Sequence, residues 1–170
     1  MRRFYFPVAA VALVAGLLPL TVQAQYTMAI RGGLFLPTEG ILKDKANQWL
    51  GVGFDIHVAS GFMKDSDTVL SADYLSHTFG GSKGSVFPLT INQFFYSPMS
   101  LNRFYWGIGA GATVADVQGP SKTVFGLKGT VGIELEREWF VEASYFWSDE
   151  FDEATDGRVN GVAFYVGYRF

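Results

Sequence analysis

The last nine residues, Val162 to Phe170, restrict the fold more than any other stretch. Val162, Phe164, Val166, Tyr168 and Phe170 recur at every second position, and Ala163, Tyr165, Gly167 and Arg169 fill the alternate ones. A period of two belongs to a strand, whose successive side chains leave opposite faces. One face is therefore wholly apolar, and the other is small or polar apart from Tyr165. A chain-terminal strand with a bare apolar face would template aggregation in water. Lipid removes that liability: a transmembrane strand turns its apolar face to hydrocarbon and pairs its backbone inside a closed sheet.

The same alternation recurs seven times upstream. Tyr26–Leu36 sends Tyr26, Met28, Ile30, Leu34 and Leu36 one way and Thr27, Ala29, Arg31 and Gly33 the other, with Phe35 as an exception. Trp49–Val58 sets Leu50, Val52, Phe54, Ile56 and Val58 against Gly51, Gly53, Asp55 and His57. Thr68–Ser76 sets Leu70, Ala72 and Tyr74 against Ser71, Asp73 and Leu75, and Val86–Tyr96 sets Phe87, Leu89, Ile91 and Phe95 against Thr90 and Asn92. In Arg103–Ala115 the apolar face runs from Phe104 and Trp106 through Ile108 to Val114, opposite Tyr105, Gly107, Gly109, Gly111 and Thr113. Thr123–Leu135 points Phe125, Leu127, Val131, Ile133 and Leu135 away from Gly126, Lys128, Thr130, Gly132 and Glu134. Trp139–Trp147 points Trp139, Val141, Ala143, Tyr145 and Trp147 away from Glu142 and Ser144. Segments of about ten residues suit tilted bilayer spans, so the expected fold is an eight-stranded antiparallel up-and-down transmembrane β-barrel.

Composition decides between lipid and water. The chain is 49% hydrophobic and 16% aromatic, with 20 glycines and no cysteine. A soluble sandwich would bury the large residues and expose the glycine-rich face on every strand, leaving no use for so many aromatics. The absence of cysteine excludes disulfides and thiolate chemistry. Acidic side chains outnumber basic ones, 16 to 13, and no basic patch suggests a nucleic-acid partner. Residues 1–24 read as a secretory signal peptide: Arg2 and Arg3, an apolar stretch from Val8 to Val22, and Val22-Gln23-Ala24 before the cut. Residues 25–170 would then form the barrel domain in the cell outer membrane.

With the N-terminus on the periplasmic side, the expected outer loops are Pro37–Gln48, His77–Ser85, Asp116–Lys122 and Ser148–Val159. The expected inner turns are Ala59–Asp67, Ser97–Asn102 and Glu136–Glu138. Aromatics near strand ends fit interfacial girdles: Tyr26, Phe95, Phe104, Trp139, Tyr168 and Phe170 at one rim, Trp49, Tyr74, Trp147 and Phe151 at the other.

Three stretches carry a likeness: Phe87-Pro88-Leu89-Thr90-Ile91, Tyr105-Trp106-Gly107-Ile108-Gly109-Ala110-Gly111, and Phe125-Gly126-Leu127-Lys128-Gly129-Thr130-Val131-Gly132. They resemble the small outer-membrane β-barrel proteins, the group of eight-stranded barrels related to the transmembrane domain of outer-membrane protein A. The likeness lies in strand pattern over the whole mature chain, and it implies fold and location rather than an activity. Phe164, Val166, Tyr168 and the terminal Phe170 likewise resemble the signal such proteins present to the barrel-assembly machinery.

The candidate chemistry lies in the polar face. Arg31, Asp55, Asp73, Lys128, Glu134, Glu142 and Arg169 would all point into a lumen just wide enough to be filled by side chains. Buried charges need partners, so the expectation is a paired network that closes the lumen, with Arg31 and Arg169 at its centre reaching Asp55, Glu134 or Glu142. Glycines on that face would make room for the long cations. Ser71, His57 and Asp55 or Asp73 could also form a hydrolase-like trio. The outer-membrane deacylases carry a His-x-Ser pair on a late strand, where this chain reads Val141-Glu142-Ala143-Ser144-Tyr145. The acidic run Asp149–Gly157 reads as a solvated loop, since its spacing is not that of a calcium loop, and His77 reads as a polar rim residue. The reading is a non-enzymatic outer-membrane protein with a structural or surface-interaction role, needing no cofactor or metal and partnered by the outer-membrane lipid bilayer. A small porin-like channel for ions or small solutes is the alternative. A lipid-modifying hydrolase is the third possibility.

Overall fold

Alternating sequences of this kind make strands, and eight of them leave no free edge if the last returns to the first. The computed structural model describes residues 28–60, 63, 65–77, 84–97, 102–117, 120–135, 138–151 and 157–170. The strands are β1 (Met28–Pro37), β2 (Trp49–Ser60), β3 (Ser66–His77), β4 (Gly84–Tyr96), β5 (Asn102–Asp116), β6 (Lys122–Leu135), β7 (Trp139–Ser148) and β8 (Gly161–Arg169). Each pairs antiparallel with its sequence neighbours, and β8 closes on β1. That seam runs in register from Ala29 opposite Arg169 to Pro37 opposite Gly161, and Phe170 N–H donates to the Met28 carbonyl at 3.0 Å. Tyr26 and the leader lie outside the described residues.

The apolar faces point outward. Ile30, Leu50, Val52, Phe54, Ile91, Trp106, Ile108, Val131, Phe164 and Val166 are all exposed. On β5 this belt runs from Phe104 to Val114, about 34 Å of strand, or about 25 Å of height at the tilt of a barrel strand. That matches the apolar band of a transmembrane barrel. Aromatic pairs mark the end where β1 begins and β8 ends: Phe95 stacks on Trp106 (4.4 Å) and Trp139 meets Tyr168 edge-on (5.2 Å).

Two connections differ from expectation. The long inner turn 59–67 contracts, because β2 runs on to Ser60 through a bulge between His57 and Ala59, and β3 begins at Ser66. The loop after β1 contains a helix, α1 (Gly40–Lys45). Six residues are too few for strand or helix periodicity to declare itself in sequence. The helix is amphipathic all the same: Ile41 and Leu42 are buried, while Lys43 and Asp44 are exposed.

Candidate functional site

The described strands enclose a lumen, and it is layered along the barrel axis. The middle layer is charged. Arg31 sits on β1 opposite Gly53 on β2 and Gly167 on β8, and Gly53 leaves it space. A methyl group on Gly53 would come within 2.5 Å of Arg31 Nε and 2.6 Å of Asp73 Oδ1. The Arg31 guanidinium donates to Asp55 through Nη1 and to Asp73 through Nη2 (2.7 Å), and its Nε lies 3.3 Å from Glu142 Oε1. Lys128 Nζ donates to the second Asp73 oxygen at 3.1 Å. All five side chains are buried. Charges in so dry a place interact strongly, and they persist because each is partnered.

Neutral groups complete the layer. Ser71 faces Asp55 in register and donates to its Oδ1 at 2.5 Å, and Asn92 Nδ2 donates to Ser71 Oγ at 2.9 Å. Tyr105 donates to Glu142 Oε2 at 2.9 Å, and the Thr130 and Ser144 hydroxyls pair at 2.9 Å. Asn92, Thr130 and Ser144 are therefore working members of the layer. Sequence reasoning placed them on the inward face and gave them no role.

The expected single centre around both arginines is corrected here. Arg169 belongs to a second cluster nearer the end where β1 begins and β8 ends, and there it pairs with Glu134. Arg103, absent from the expected network, grips the same carboxylate with two bonds, Nε to Oε2 at 2.7 Å and Nη2 to Oε1 at 3.0 Å. It stands directly opposite Glu134 in the β5–β6 register, a cross-strand pairing that needs the register to be seen. Aromatic rings pack this end. The Arg169 guanidinium lies 5.0 Å from the Phe140 ring centroid and 5.5 Å from that of Tyr105, and Arg103 lies 4.0 Å above Tyr96. Gly107, Gly132 and Gly167 make room here for Phe94, Tyr105 and Phe140, so these small residues accommodate rings rather than cations.

The third layer, at the opposite end, is apolar, which corrects the expectation of a polar interior throughout. Phe35, Ile41, Leu42, Trp49, Leu75, Val86, Phe146, Phe151, Val159 and Tyr165 are among one buried cluster there. Trp49 and Phe151 are thus not girdle residues. The Trp49 side chain turns inward, its indole N–H donating to the carbonyls of Leu42 and Ala46 at 3.2 Å each, and it closes the C-terminal end of α1. His77, expected at a polar rim, is buried with its ring 5.6 Å from that of Trp49. Phe35, the exception to its strand's pattern, belongs to this layer and meets Phe146 edge-on at 6.0 Å.

The hydrolase trio does not assemble. His57 Nδ1 lies 3.5 Å from Asp67 Oδ2, while the Ser71 hydroxyl is committed to Asp55. His57 stays in regular register, opposite Val69 and diagonal to Ser71, so it is the side-chain partners and not the backbone that keep the trio apart. At the acidic run, Glu150 pairs with Arg158 at 3.3 Å, and residues 152–156 lie outside the described residues. Among the described residues no group of three or more His, Asp or Glu side chains is placed to hold a metal ion.

No protein-family model matches the chain, and no curated protein does. Solved structures do. The chain is similar to the N-terminal β-barrel domain of Pseudomonas aeruginosa OprF, with a TM-score of 0.53 at 13% identity over 87% of this chain and 100% of that one. It is similar to Neisserial surface protein A, with a TM-score of 0.61 at 11% identity over 85% and 94%. Ail, the attachment invasion locus protein of Yersinia pestis, solved in complex with the heparin analogue sucrose octasulfate, gives 0.51 at 18% over 85% and 97%. By its fold, the chain is a small eight-stranded up-and-down barrel of the outer-membrane kind.

Proposed function

We propose that the protein is a non-enzymatic barrel of the outer membrane, exported on residues 1–24, with a closed lumen and a structural or surface-interaction role. The helix-bearing end faces outward and the chain termini face the periplasm. One observation carries this reading. The interior is occupied along its length by two charge-paired layers and an apolar layer stoppered by α1, with Arg31, Asp73 and Lys128 buried at the middle. Such an interior rigidifies a barrel and offers ions no continuous wet path. The surface role is supported by the likeness to a surface protein and an attachment protein.

The partners are the outer-membrane bilayer along the apolar belt and the barrel-assembly machinery at the C-terminal strand, where Phe164, Val166 and Phe170 are exposed. A surface ligand would meet the outer loops. Single-channel recording in planar bilayers tests the reading. The unmodified protein should show no steady conductance, whereas a steady open level would replace this reading with a porin-like channel.

A further inference from the structure

We propose that residues 38–48 form a displaceable plug, and that the apolar recess they fill is a binding site, open to the outer side, for a small hydrocarbon-bearing molecule with one polar group. The proposal rests on the closed lumen only in one respect: the charged layer below makes the opened recess a cup and not a channel.

The helix cannot hold itself in place. A single six-residue helix lies far below the length that is stable alone. Its N-cap residue, Glu39, makes no side-chain bond to the helix, and Gly40 starts it with a φ of 68°. What holds it is tertiary. Ile41 and Leu42 insert into the barrel mouth, Trp49 closes one end, and Asn160 ties the other. Asn160 Nδ2 donates to Glu39 Oε1, the Asn160 carbonyl accepts from Thr38 N–H at 2.9 Å, and its side-chain oxygen accepts from Ser148 N–H at 3.3 Å. Segments with few anchors and weak intrinsic structure open locally well before a barrel unfolds.

The wall beneath is built by strands and stays when the helix leaves. Phe35, Leu75, Val86 and Phe146 line it, in a lumen that is otherwise polar or aromatic-packed around charges. Tyr165 forms the floor, its ring 5.2 Å from the Arg31 guanidinium and its hydroxyl against the backbone of Gly51. That hydroxyl is buried beside Asp73 and does not reach it in good hydrogen-bond geometry, so a poorly satisfied donor stands where the recess meets the charged layer. A buried donor in that state favours an acceptor that reaches it. An aliphatic or aromatic group replacing the Ile41 and Leu42 side chains, with one hydroxyl or carbonyl for Tyr165, fits the chemistry of the recess.

The chain lacks cysteine, so single thiols report opening. Leu42→Cys on the plug, Ala163→Cys on the recess wall and Ser144→Cys in the charged layer start from positions that are all fully buried. Each is timed in phospholipid nanodiscs with a membrane-impermeant thiol reagent. Leu42→Cys and Ala163→Cys should react slowly and at similar rates, and Ser144→Cys far more slowly. Adding Asn160→Ala should speed the first two together by about three- to tenfold, as loss of about one hydrogen bond implies. Hexanol, the probe ligand, should accelerate Leu42→Cys by holding the plug out and slow Ala163→Cys by covering the wall. Opposite signs separate binding from a general loosening by alcohol. Should Leu42→Cys fail to fold, Ile41→Cys reports the same surface. Leu42→Cys as inert as Ser144→Cys would overturn the plug, and hexanol moving both thiols in one direction would overturn the site. Conductance in the unmodified protein would instead defeat the closed lumen, a separate result.

Discussion

Arg31→Met is the most informative perturbation of the lumen. Methionine keeps much of the buried length of arginine and removes its charge and its donors. The Arg31 side chain is fully buried and touches Asp55, Asp73 and Glu142. Without it, three buried carboxylates would share Lys128 as the one cation of the middle layer. Each keeps one partner: Asp73 has Lys128, Asp55 has Ser71, and Glu142 has Tyr105. The loss should therefore be that of breaking one buried pair, about 3–5 kcal/mol, and not the sum of three. With a urea dependence of about 2 kcal/mol/M, the unfolding midpoint should fall by about 2 M. Urea titration of protein folded into lipid vesicles, read by heat-modifiable gel migration, measures it. Arg31→Met with Asp55→Asn removes one positive and one negative charge together and should recover a large part of the loss. Arg103→Ala, whose side chain is 43% exposed and whose carboxylate keeps Arg169, should cost no more than about 1 kcal/mol. A stability for Arg31→Met within about 1 kcal/mol of the parent, or a double variant as weak as the two single losses summed, would refute the reasoning.

Other consequences are open to direct measurement. Val131→Arg, on the outward face and 49% exposed, should cost about 2–4 kcal/mol near the lipid midplane, and a lipid-phase spin label should reach position 131 but miss the buried position 130. Leu42→Ala should cost about 2–5 kcal/mol of the free energy that holds α1, seen as faster amide exchange over residues 40–46 with the strands unchanged. Deleting Phe170 should impair outer-membrane assembly, and normal yield of heat-modifiable protein in the outer membrane would count against an assembly role for the terminal strand. Gly132→Val, which would drive a side chain into the Tyr105 ring, should destabilise the barrel far more than Gly129→Val, where a Cβ meets nothing within 4 Å.

The strands and their facing are legible in the residue order alone, for a plain physical reason. In a barrel surrounded by an apolar medium, period two separates lipid-facing from lumen-facing positions at every residue, so the pattern is redundant across eight strands. Ile108, Val131 and Phe164 on one side and Arg31, Asp73 and Lys128 on the other needed no partner to be assigned. Who meets whom across the lumen depends on the closed barrel. Arg31 and Arg169 share a face and adjacent strands, yet strand tilt and the surrounding aromatic rings divide them between two clusters. His57 kept its register diagonal to Ser71, yet its ring pairs with Asp67 while Ser71 is held by Asp55, a choice of partners that alternation cannot foresee. Trp49, Phe151, Ile41 and Leu42 look like surface or loop residues in a linear reading. They are buried because the chain folds back into the mouth of its own barrel, and no local periodicity records a loop that returns to fill the space its strands enclose.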